Sequence, residues 1–163
     1  MEAKKPCAAG IRVAESELTD KVLDELIELS VEWENENSCR GYRKNERSDI
    51  EGNRIFLALD GDAVIGYLFG HVEKAENIGS VLPDGEAYFE IEELFVRSEY
   101  RSAGIGRKLF SAAEDAVSDE VSCLMLGTAT KNWRAILHFY LEELGMSFWS
   151  ARLFKRIEKR AER

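Results

Sequence analysis

The chain has 163 residues, of which 45% are hydrophobic and 33% charged, and its formal net charge is -9. A chain of this length can bury one core but is short for two, so we expect residues 1–163 to form a single domain. The acidic balance excludes nucleic acid as the main partner, since that needs a basic surface, and no apolar run approaches the roughly 20 residues that span a bilayer.

The chain begins with a predicted strand followed by a predicted helix. Ile11–Ala14 is a short strand candidate, and Thr19 with Asp20 then offers an N-cap. The helix after this cap has apolar residues at helical spacing, which are Val22, Leu23, Leu26, Ile27 and Leu29. Residues 32–49 are mostly polar, which indicates a helix end, a loop and a second short helix.

A β-hairpin is predicted next. Two strand-like runs, Arg54–Leu59 and Ala63–Val72, are joined by Asp60-Gly61-Asp62, in which glycine supplies a positive φ. Residues 77–86 contain proline and glycine and are predicted to be a loop.

The second half of the chain alternates strands and helices. The predicted elements are a strand Tyr88–Val96, a helix from Ile105 to Val117, a strand Val121–Leu126, a helix Asn132–Leu144 ended by Gly145, and a final strand Ser147–Ile157. The order β-α-α-β-β-β-α-β-α-β predicts a mixed α/β or α+β domain.

A glycine-containing segment, Arg101-Ser102-Ala103-Gly104-Ile105-Gly106, connects the strand before it to the helix after it. At such a junction the first N–H groups of the helix have no intrahelical partners, and the helix dipole adds positive charge. The two glycines have no Cβ, so a bulky anion can approach the backbone closely. Arg101 and Arg107 flank the segment with positive charge. The pattern predicts a cradle for a pyrophosphate group.

Two familiar phosphate loops do not fit this segment. A dinucleotide-binding loop needs a third glycine where Leu109 stands, and a P-loop needs a Gly-Lys pair that the sequence lacks. The segment does resemble the Q/R-x-x-G-x-G/A motif of the GNAT superfamily of acetyl-CoA-dependent N-acetyltransferases, and Leu94–Tyr100 before it matches that superfamily as well. A helix started by structural glycines, with no ligand, is the alternative interpretation.

The resemblance implies a fold, a co-substrate and a set of contacts. The fold is a central mixed, mostly antiparallel sheet flanked by helices. The co-substrate is acetyl-CoA, whose pantetheine arm pairs with residues 94–96 and enters through a splay between that strand and Val121–Leu126. The cofactor-binding residues implied are Leu94, Phe95, Val96, Arg101, Ser102, Ala103, Gly104, Ile105, Gly106, Arg107 and Asn132.

A second segment, near the C-terminus, resembles the superfamily pattern N-x-x-A-x-x-L/F-Y-x-x-x-G-F/M, with Asn132 and Ala135 in the expected places. In relatives the asparagine contacts the cofactor and the tyrosine faces the departing thiolate. Tyr140 lies one residue further from Asn132 than usual, and Gly145 one residue further from Tyr140. One residue is about 100° of helical rotation. Either the helix is bulged, or Asn132 is shifted from its role.

Acetyl transfer to an amine needs a base for the ammonium proton and an acid for the departing thiolate. Glu90 and Glu92 stand two apart on one strand, so both side chains are expected on one face. The resemblance supports either as the base, since several acetyltransferases of the superfamily use the position of Glu90 and the polyamine acetyltransferases that of Glu92. The phenol of Tyr140 is the expected acid. Solvated or salt-bridged glutamates are the alternative.

The acceptor is expected to be a primary amine of a small molecule or peptide. The acidic run Glu32, Trp33, Glu34 and Glu36 lies on a segment that walls the acceptor site in relatives. Its charge and its aromatic ring could bind a cation, although a solvated helix end is the commoner meaning of such a run. A second copy of the chain, in a homodimer, is a further candidate partner.

The cysteines and histidines predict neither a disulfide framework nor a metal site. They are Cys7, Cys39 and Cys123, unevenly spaced, with His71 and His138 far apart in the sequence. A reducing, cytoplasmic setting is therefore expected, and Met1–Pro6 leads into no hydrophobic signal region.

Two other function classes are compatible with the sequence. One is a catalytically silent GNAT domain that binds acetyl-CoA as a sensor or scaffold, which the displaced Tyr140 favours. The other is an acidic interaction module without a ligand. Binding of acetyl-CoA separates the module from the other two, and amine-dependent thiol release separates an enzyme from a sensor.

Overall fold

A computed structural model describes residues 10–157, so Met1–Pro6 and Cys7 lie outside the described residues. The elements in chain order are β1 (Ile11–Ser16), α1 (Asp20–Glu36), α2 (Arg47–Ile50), β2 (Arg54–Asp60), β3 (Ala63–Lys74), β4 (Ala87–Val96), a 3₁₀ turn (Ser98–Tyr100), α3 (Ile105–Val117), β5 (Cys123–Met125), α4 (Trp133–Leu137) and a π-helical segment (His138–Glu143).

The five strands form one sheet in the order β1-β2-β3-β4-β5. The first four are antiparallel neighbours, whereas β4 and β5 run parallel. The predicted mixed, mostly antiparallel sheet flanked by helices is therefore confirmed. The predicted hairpin is β2 and β3, and Gly61 at its turn has φ 60°.

Helices cover both faces of the sheet. On one face α3 buries Ile105, Leu109, Phe110, Ala113 and Val117. On the other face α1 and α2 bury Leu23, Leu26, Leu29 and Ile50. The strand β4 contributes to both sides: Phe89 and Ile91 pack with α3, and Phe95 packs with α1. The sheet is thus the middle layer between two apolar cores.

The ends of α1 follow from local chemistry. Thr19 has extended backbone angles, and its hydroxyl accepts a hydrogen bond from the Val22 N–H at 3.2 Å, as predicted for an N-cap. At the other end Asn37 adopts a left-handed conformation with φ 50°, and its N–H donates to the Glu34 carbonyl. The chain then turns into the connection between α1 and α2.

A β-bulge interrupts the pairing of β3 with β4. Phe69 pairs with Glu93, and the next residue, Gly70, pairs with Ile91, which leaves Glu92 as the extra residue. A Cβ at Gly70 would clash with the Glu90 carbonyl oxygen, so glycine is required for the strands to approach here. The bulge shifts the alternation of every β4 side chain beyond it.

The pairing of β4 with β5 covers only the first part of β4. It runs from Tyr88 with Cys123 to Glu90 with Met125, and it ends there. From Ile91 to Val96 the side of β4 that faces away from β3 has no strand partner among residues 10–157. The two parallel strands separate at this point, where the sequence resemblance implies a splay.

The last part of the chain differs from the sequence prediction. The predicted helix Asn132–Leu144 is α-helical only at Trp133–Leu137 and continues as the π-helical segment. The predicted strand Ser147–Ile157 is not formed, because residues 145–157 have no regular secondary structure. The neighbouring sheet edge, β5, is only three residues long and offers a short template for a further strand.

Candidate functional site

The predicted cradle forms at the start of α3. Gly104 is the N-cap with φ 76°, Ser102 has φ 62°, and the first bond of the helix runs from the Lys108 N–H to the Gly104 carbonyl at 3.1 Å. The N–H groups of residues 105–107 therefore have no hydrogen-bond partner within the helix and are available to an anion. A Cβ placed on Gly104 would meet no atom within 4 Å, so the space over the cradle is open.

The two arginines beside the cradle are already engaged. The Arg101 Nε donates to the Val96 carbonyl at 2.7 Å, and its Nη2 donates to the Glu36 carboxylate at 2.6 Å. Arg107 donates to the carbonyl and the carboxylate of Glu143. The sequence predicts that both arginines add positive charge beside the anion, and in the structure each is also paired with a carboxylate of the same chain. The cradle consists of backbone N–H groups.

Gly106 has a packing role. A Cβ there would lie 3.1 Å from the Cζ of Phe139, which belongs to the π-helical segment. The absence of a side chain lets α3 and this segment approach closely, and the access of an anion to the Gly106 backbone stays a prediction. The rings of Phe139 and Tyr140 have centroids 5.1 Å apart, so this contact also supports the position of Tyr140.

The unpaired part of β4 carries the residues predicted to meet the pantetheine arm. Leu94 and Val96 pack toward α3, and Phe95 packs toward α1, so their side chains belong to the two cores. Phe95 and Val96 are buried, but the backbone groups of this edge have no strand partner, and an extended amide-bearing group can pair with them as an added strand. The open cradle and this free edge together fit the elongated molecule that the resemblance implies.

Tyr140 lines a cavity of about 360 Å³ that Glu90 and Met125 also line. Met125 pairs with Glu90 at the point where β4 and β5 separate. Burial raises the pKa of the Tyr140 phenol to about 12, so the phenol is protonated at neutral pH and can donate a proton. The cavity thus brings together one carboxyl and one phenol from segments 50 residues apart in the sequence.

The π-helical segment accommodates the extra residue before Tyr140. It spans His138–Glu143, and the Leu144 N–H donates to the Phe139 carbonyl, five residues earlier. A π-turn inserts one residue into a helix without reversing its direction. Of the two alternatives, the bulged helix is the one observed. Asn132 is the N-cap of α4 and is exposed, and its N–H donates to the Thr130 hydroxyl.

Glu90 lies directly opposite His71 in the β3–β4 register. Burial, followed by the negative charges of Glu92 and Glu73, raises the pKa of the Glu90 carboxyl, and the His71 charge acts in the opposite direction. A carboxylate whose pKa is raised toward neutral is a better proton acceptor than an ordinary one. Glu90 therefore has the electrostatic setting of a general base.

Glu92, the bulged residue, is more exposed. Its carboxylate lies 3.6 Å from the His71 Nδ1, and its side chain retains 46% of its accessible surface. It lines a second and larger cavity, of about 760 Å³, together with His71, Phe69 and residues of the α1–α2 connection. The two glutamates predicted as alternative bases thus lie in different cavities.

Glu93 is a site residue that the sequence analysis missed. Its carboxylate lines the larger cavity and accepts hydrogen bonds from the Tyr67 hydroxyl at 2.6 Å, the Asn45 amide at 2.9 Å and the Tyr42 hydroxyl at 3.3 Å. Burial raises its pKa, although these three donors act in the opposite direction. Strict strand alternation would place Glu93 with Phe89 and Ile91 against α3, and the bulge at Glu92 moves it to the α1 side.

The residues of the acidic run at the end of α1 make different contacts. Glu32 pairs with Arg97 at 2.9 Å, and Glu36 pairs with Arg101. Trp33 stacks between Tyr42, at 4.2 Å between ring centroids, and Phe95, at 5.4 Å. Glu34 is exposed. The aromatic member of the run thus packs against Tyr42, which lines the larger cavity, and two of its carboxylates tie α1 to the segment after β4.

The remaining candidates add no second site. Cys39 forms an isolated bridge with Thr130, and burial raises the pKa of its thiol and of the Cys123 thiol. Within residues 10–157 no group of three or more histidine, cysteine, aspartate or glutamate side chains could hold a metal ion. Within the same range, no helix combines the length and the apolar composition needed to cross a membrane.

Comparison with known proteins gives one family. A family model described as the acetyltransferase (GNAT) family matches residues 18–146. An uncharacterized N-acetyltransferase encoded in the pepI 3' region of Lactobacillus delbrueckii subsp. lactis is 35% identical over 100 residues, which are 61% of this chain and 54% of that relative. The matched stretch therefore spans about half the length of that relative.

Solved structures agree with this family. Arabidopsis thaliana Naa50, in complex with the bisubstrate analogue CoA-Ac-MVNAL, superposes with a TM-score of 0.61 and 25% identity over 82% of each chain. An aminoglycoside acetyltransferase, meta-AAC0020, from an uncultured soil metagenomic sample and in complex with trehalose, gives a TM-score of 0.64 at 13% identity over 91% of this chain and 97% of its own. The second likeness shows the fold alone.

Proposed function

The chain belongs to the acetyltransferase (GNAT) family, and from that premise we propose that it transfers the acetyl group of acetyl-CoA directly to a primary amine of a small molecule or peptide. The family predicted from the segment at residues 101–106 is thereby confirmed. The observation that carries the proposal is the cavity at the β4–β5 separation, which Glu90 and Tyr140 line together. We also propose that residues 1–163 act as one acetyltransferase domain in the cytoplasm.

The proposed binding of acetyl-CoA uses backbone groups. The N–H groups of residues 105–107 receive the pyrophosphate, and the free edge of β4 at residues 94–96 pairs with the amides of the pantetheine arm. When bound, acetyl-CoA supplies a thioester whose carbonyl carbon is open to attack by an amine. An extended arm that follows this edge from the cradle ends near Glu90, where β5 rejoins β4.

The proposed proton transfers balance the reaction. A C–N bond forms and the C–S bond of the thioester breaks, so the amine loses a proton and the sulfur gains one. A lysine-like amine has a reference pKa near 10.4, so removing its proton at neutral pH costs about 4–5 kcal/mol. A glutamate carboxylate takes this proton, directly or through water, and the protonated Tyr140 phenol donates to the thiolate.

Two glutamates are proposed as alternative bases. Glu92 is supported by the polyamine acetyltransferase pattern and by its position next to His71. Glu90 is supported by its raised pKa and by the cavity that it shares with Tyr140. The two side chains lie in different cavities, so single replacements can distinguish them.

Acetyl-CoA-dependent thiol release tests the proposal. We expect release of free coenzyme A that depends on an added amine, measured with a panel of polyamines, aminoglycosides, amino acids and N-terminal peptides. The product of the best acceptor gains one acetyl group by mass spectrometry. Binding of acetyl-CoA in calorimetry without amine-dependent release from any acceptor would contradict the proposal and favour an acetyl-CoA sensor instead.

A further inference from the structure

Glu93 has no part in the proposed proton transfers, yet it is the most enclosed carboxylate of the larger cavity. We infer that Glu93 determines acceptor specificity by holding a second cationic group of the acceptor, so that the preferred acceptors are diamines and other dicationic amines. The inference rests on the proposed acetyl transfer and specifies the chemical class of its acceptor.

The hydrogen bonds of Glu93 leave one oxygen for a ligand. The donors from Tyr42, Asn45 and Tyr67 all reach Oε2. Glu93 Oε1 receives none of these donors. It is not buried either, because the Arg97 Nε is the only buried side-chain nitrogen or oxygen without a partner among residues 10–157. Since the residue lines the cavity, Oε1 is the oxygen that faces it. The carboxylate is held in place by one oxygen and offers the other.

The charge of Glu93 is not compensated within the described part of the chain. Its three donors are neutral, and no ion pair within 4.0 Å includes it. The neighbouring Asp49, by contrast, has a bidentate partner in Arg43. Removing an ionised carboxylate from water without an opposite charge is costly, and burial accordingly raises the Glu93 pKa. A cationic group in the cavity would supply the missing charge.

Two aromatic residues, Tyr42 and Phe69, line the cavity with this carboxylate, and further rings pack behind them. Tyr67 stacks on Phe69 at 5.5 Å between centroids and lies 6.0 Å from Phe95. Phe95 and Tyr42 in turn stack with Trp33. Ring faces near a carboxylate favour an alkylammonium group, because the rings attract the cation and contact its methylene groups. A neutral group gains only the contact with the rings, and an anionic group is repelled by the carboxylate.

The spacing along β4 favours a flexible acceptor of moderate length. Glu90 pairs with His71 and Glu93 pairs with Phe69, so the bulge leaves the two glutamates only two β3 residues apart, about 7 Å along the sheet. The inferred acceptor extends along β4 from the smaller cavity, where its reacting amine lies beside Glu90 and Tyr140, to the larger cavity, where a chain of several methylene groups places its second ammonium group at Glu93. An acceptor with a single amine cannot occupy both positions.

The test compares cadaverine with pentylamine, which has the same carbon chain and one amine fewer. For the unmodified protein we expect kcat/KM to favour cadaverine. Glu93→Gln keeps an oxygen for the Tyr67 and Asn45 donors but removes the charge, so we expect cadaverine to lose about 10- to 100-fold, mainly through KM. The kinetic constants for pentylamine and the KM for acetyl-CoA should stay unchanged. Glu51→Gln, an exposed carboxylate of the same cavity, is the matched control.

The pH dependence separates charge from a structural role. Protonation of Glu93 at low pH should remove the preference for cadaverine in the unmodified protein, whereas the preference of Glu93→Gln should stay flat. The comparison with this variant is needed because other titratable or charged groups face Glu93 or share its cavity and contribute to the pH profile of both proteins. These groups are Tyr67 from β3, Cys39, Tyr42 and Arg43 from the α1–α2 connection, Asp49 from α2, Glu92 from β4 and His71 from β3.

Equal use of cadaverine and pentylamine by the unmodified protein would overturn the inference, whether or not the variant folds. An equal loss for both amines in Glu93→Gln would also overturn it, since that is the signature of a structural role. If no amine is acetylated, the proposed function fails. The inference can then still be tested by measuring the binding of cadaverine by calorimetry in the presence of coenzyme A. Cadaverine binding that depends on Glu93 supports it, and binding that is absent or independent of Glu93 contradicts it.

Discussion

The cradle and the larger cavity are built in different ways. The cradle consists of backbone N–H groups from one continuous segment, residues 102–107, held by the left-handed conformations of Ser102 and Gly104. The larger cavity is lined by residues of α2 and the loops on either side of it, of β3 and of β4, which meet only in the folded chain. A backbone site is set by local conformation, whereas a side-chain site depends on the packing of distant segments.

The two regions also handle charge in opposite ways. The cations beside the cradle, Arg101 and Arg107, are paired with Glu36 and Glu143. In the cavity the Glu93 carboxylate receives only neutral donors. The cradle therefore offers backbone dipoles to the proposed anionic co-substrate, and the larger cavity offers a negative charge to the proposed cationic acceptor. Single replacements in each region test this difference.

The replacement Gly104→Glu should abolish acetyl-CoA binding, because it places a side chain and a negative charge over the backbone N–H groups. Gly104→Ala is the control, since both variants share the strain of a side chain at φ 76° but only one adds charge. We expect a modest loss of affinity for the alanine variant by calorimetry, and cooperative unfolding for both. Normal binding by a folded glutamate variant would place the cradle elsewhere.

Tyr140→Phe should lower kcat by about 10²–10⁴-fold, the usual contribution of a general acid, with little change in acetyl-CoA affinity. The phenylalanine ring keeps the packing against Phe139 and removes only the phenol. Tyr100→Phe, which loses an exposed hydroxyl bonded to Asp60, is the control and should keep full activity. Steady-state kinetics and calorimetry measure the two effects. A loss below tenfold would show that Tyr140 is not the acid.

Of the variants Glu90→Gln and Glu92→Gln, the one that removes the true base should lower kcat/KM at neutral pH by about 10²-fold. Part of this loss should be recovered as the pH rises, because more of the amine is then neutral in solution. If Glu90 is the base, its raised pKa also shifts the acidic limb of the unmodified protein's profile upward, since activity is lost as that carboxylate becomes protonated. Unchanged pH–rate profiles in both variants would leave water as the proton acceptor.

Glu93→Gln should change the pH dependence of stability by a small amount. A folded-state pKa above the unfolded value of about 4.3 means that the folded chain binds the proton more tightly. This contribution to stability is fully present below the unfolded pKa and is lost as the pH rises through the raised folded pKa. We therefore expect the free energy of unfolding to fall less steeply across this window in the variant. Urea denaturation at a series of pH values measures it, and parallel slopes would contradict the prediction.

The sequence by itself predicts the features that depend on neighbours along the chain. The Thr19 cap, the turn at Gly61 and the strand-to-helix cradle each need only a few consecutive residues, so their residue types are informative. The same locality explains why the family resemblance is carried by residues 94–106. The sheet order and the position of α3 on it follow from that family.

Contacts between side chains from distant segments depend on the tertiary structure. The bulge at Glu92 depends on the close approach of β3 and β4 at Gly70, and without it alternation assigns Glu93 to the wrong face. The ion pair of Arg101 also depends on the fold, since its partner Glu36 lies 65 residues away in the sequence. The final strand fails for a related reason, since a strand forms only where a partner edge exists, and β5 is three residues long. Pairing between distant segments is a property of the whole fold, and local residue patterns do not encode it.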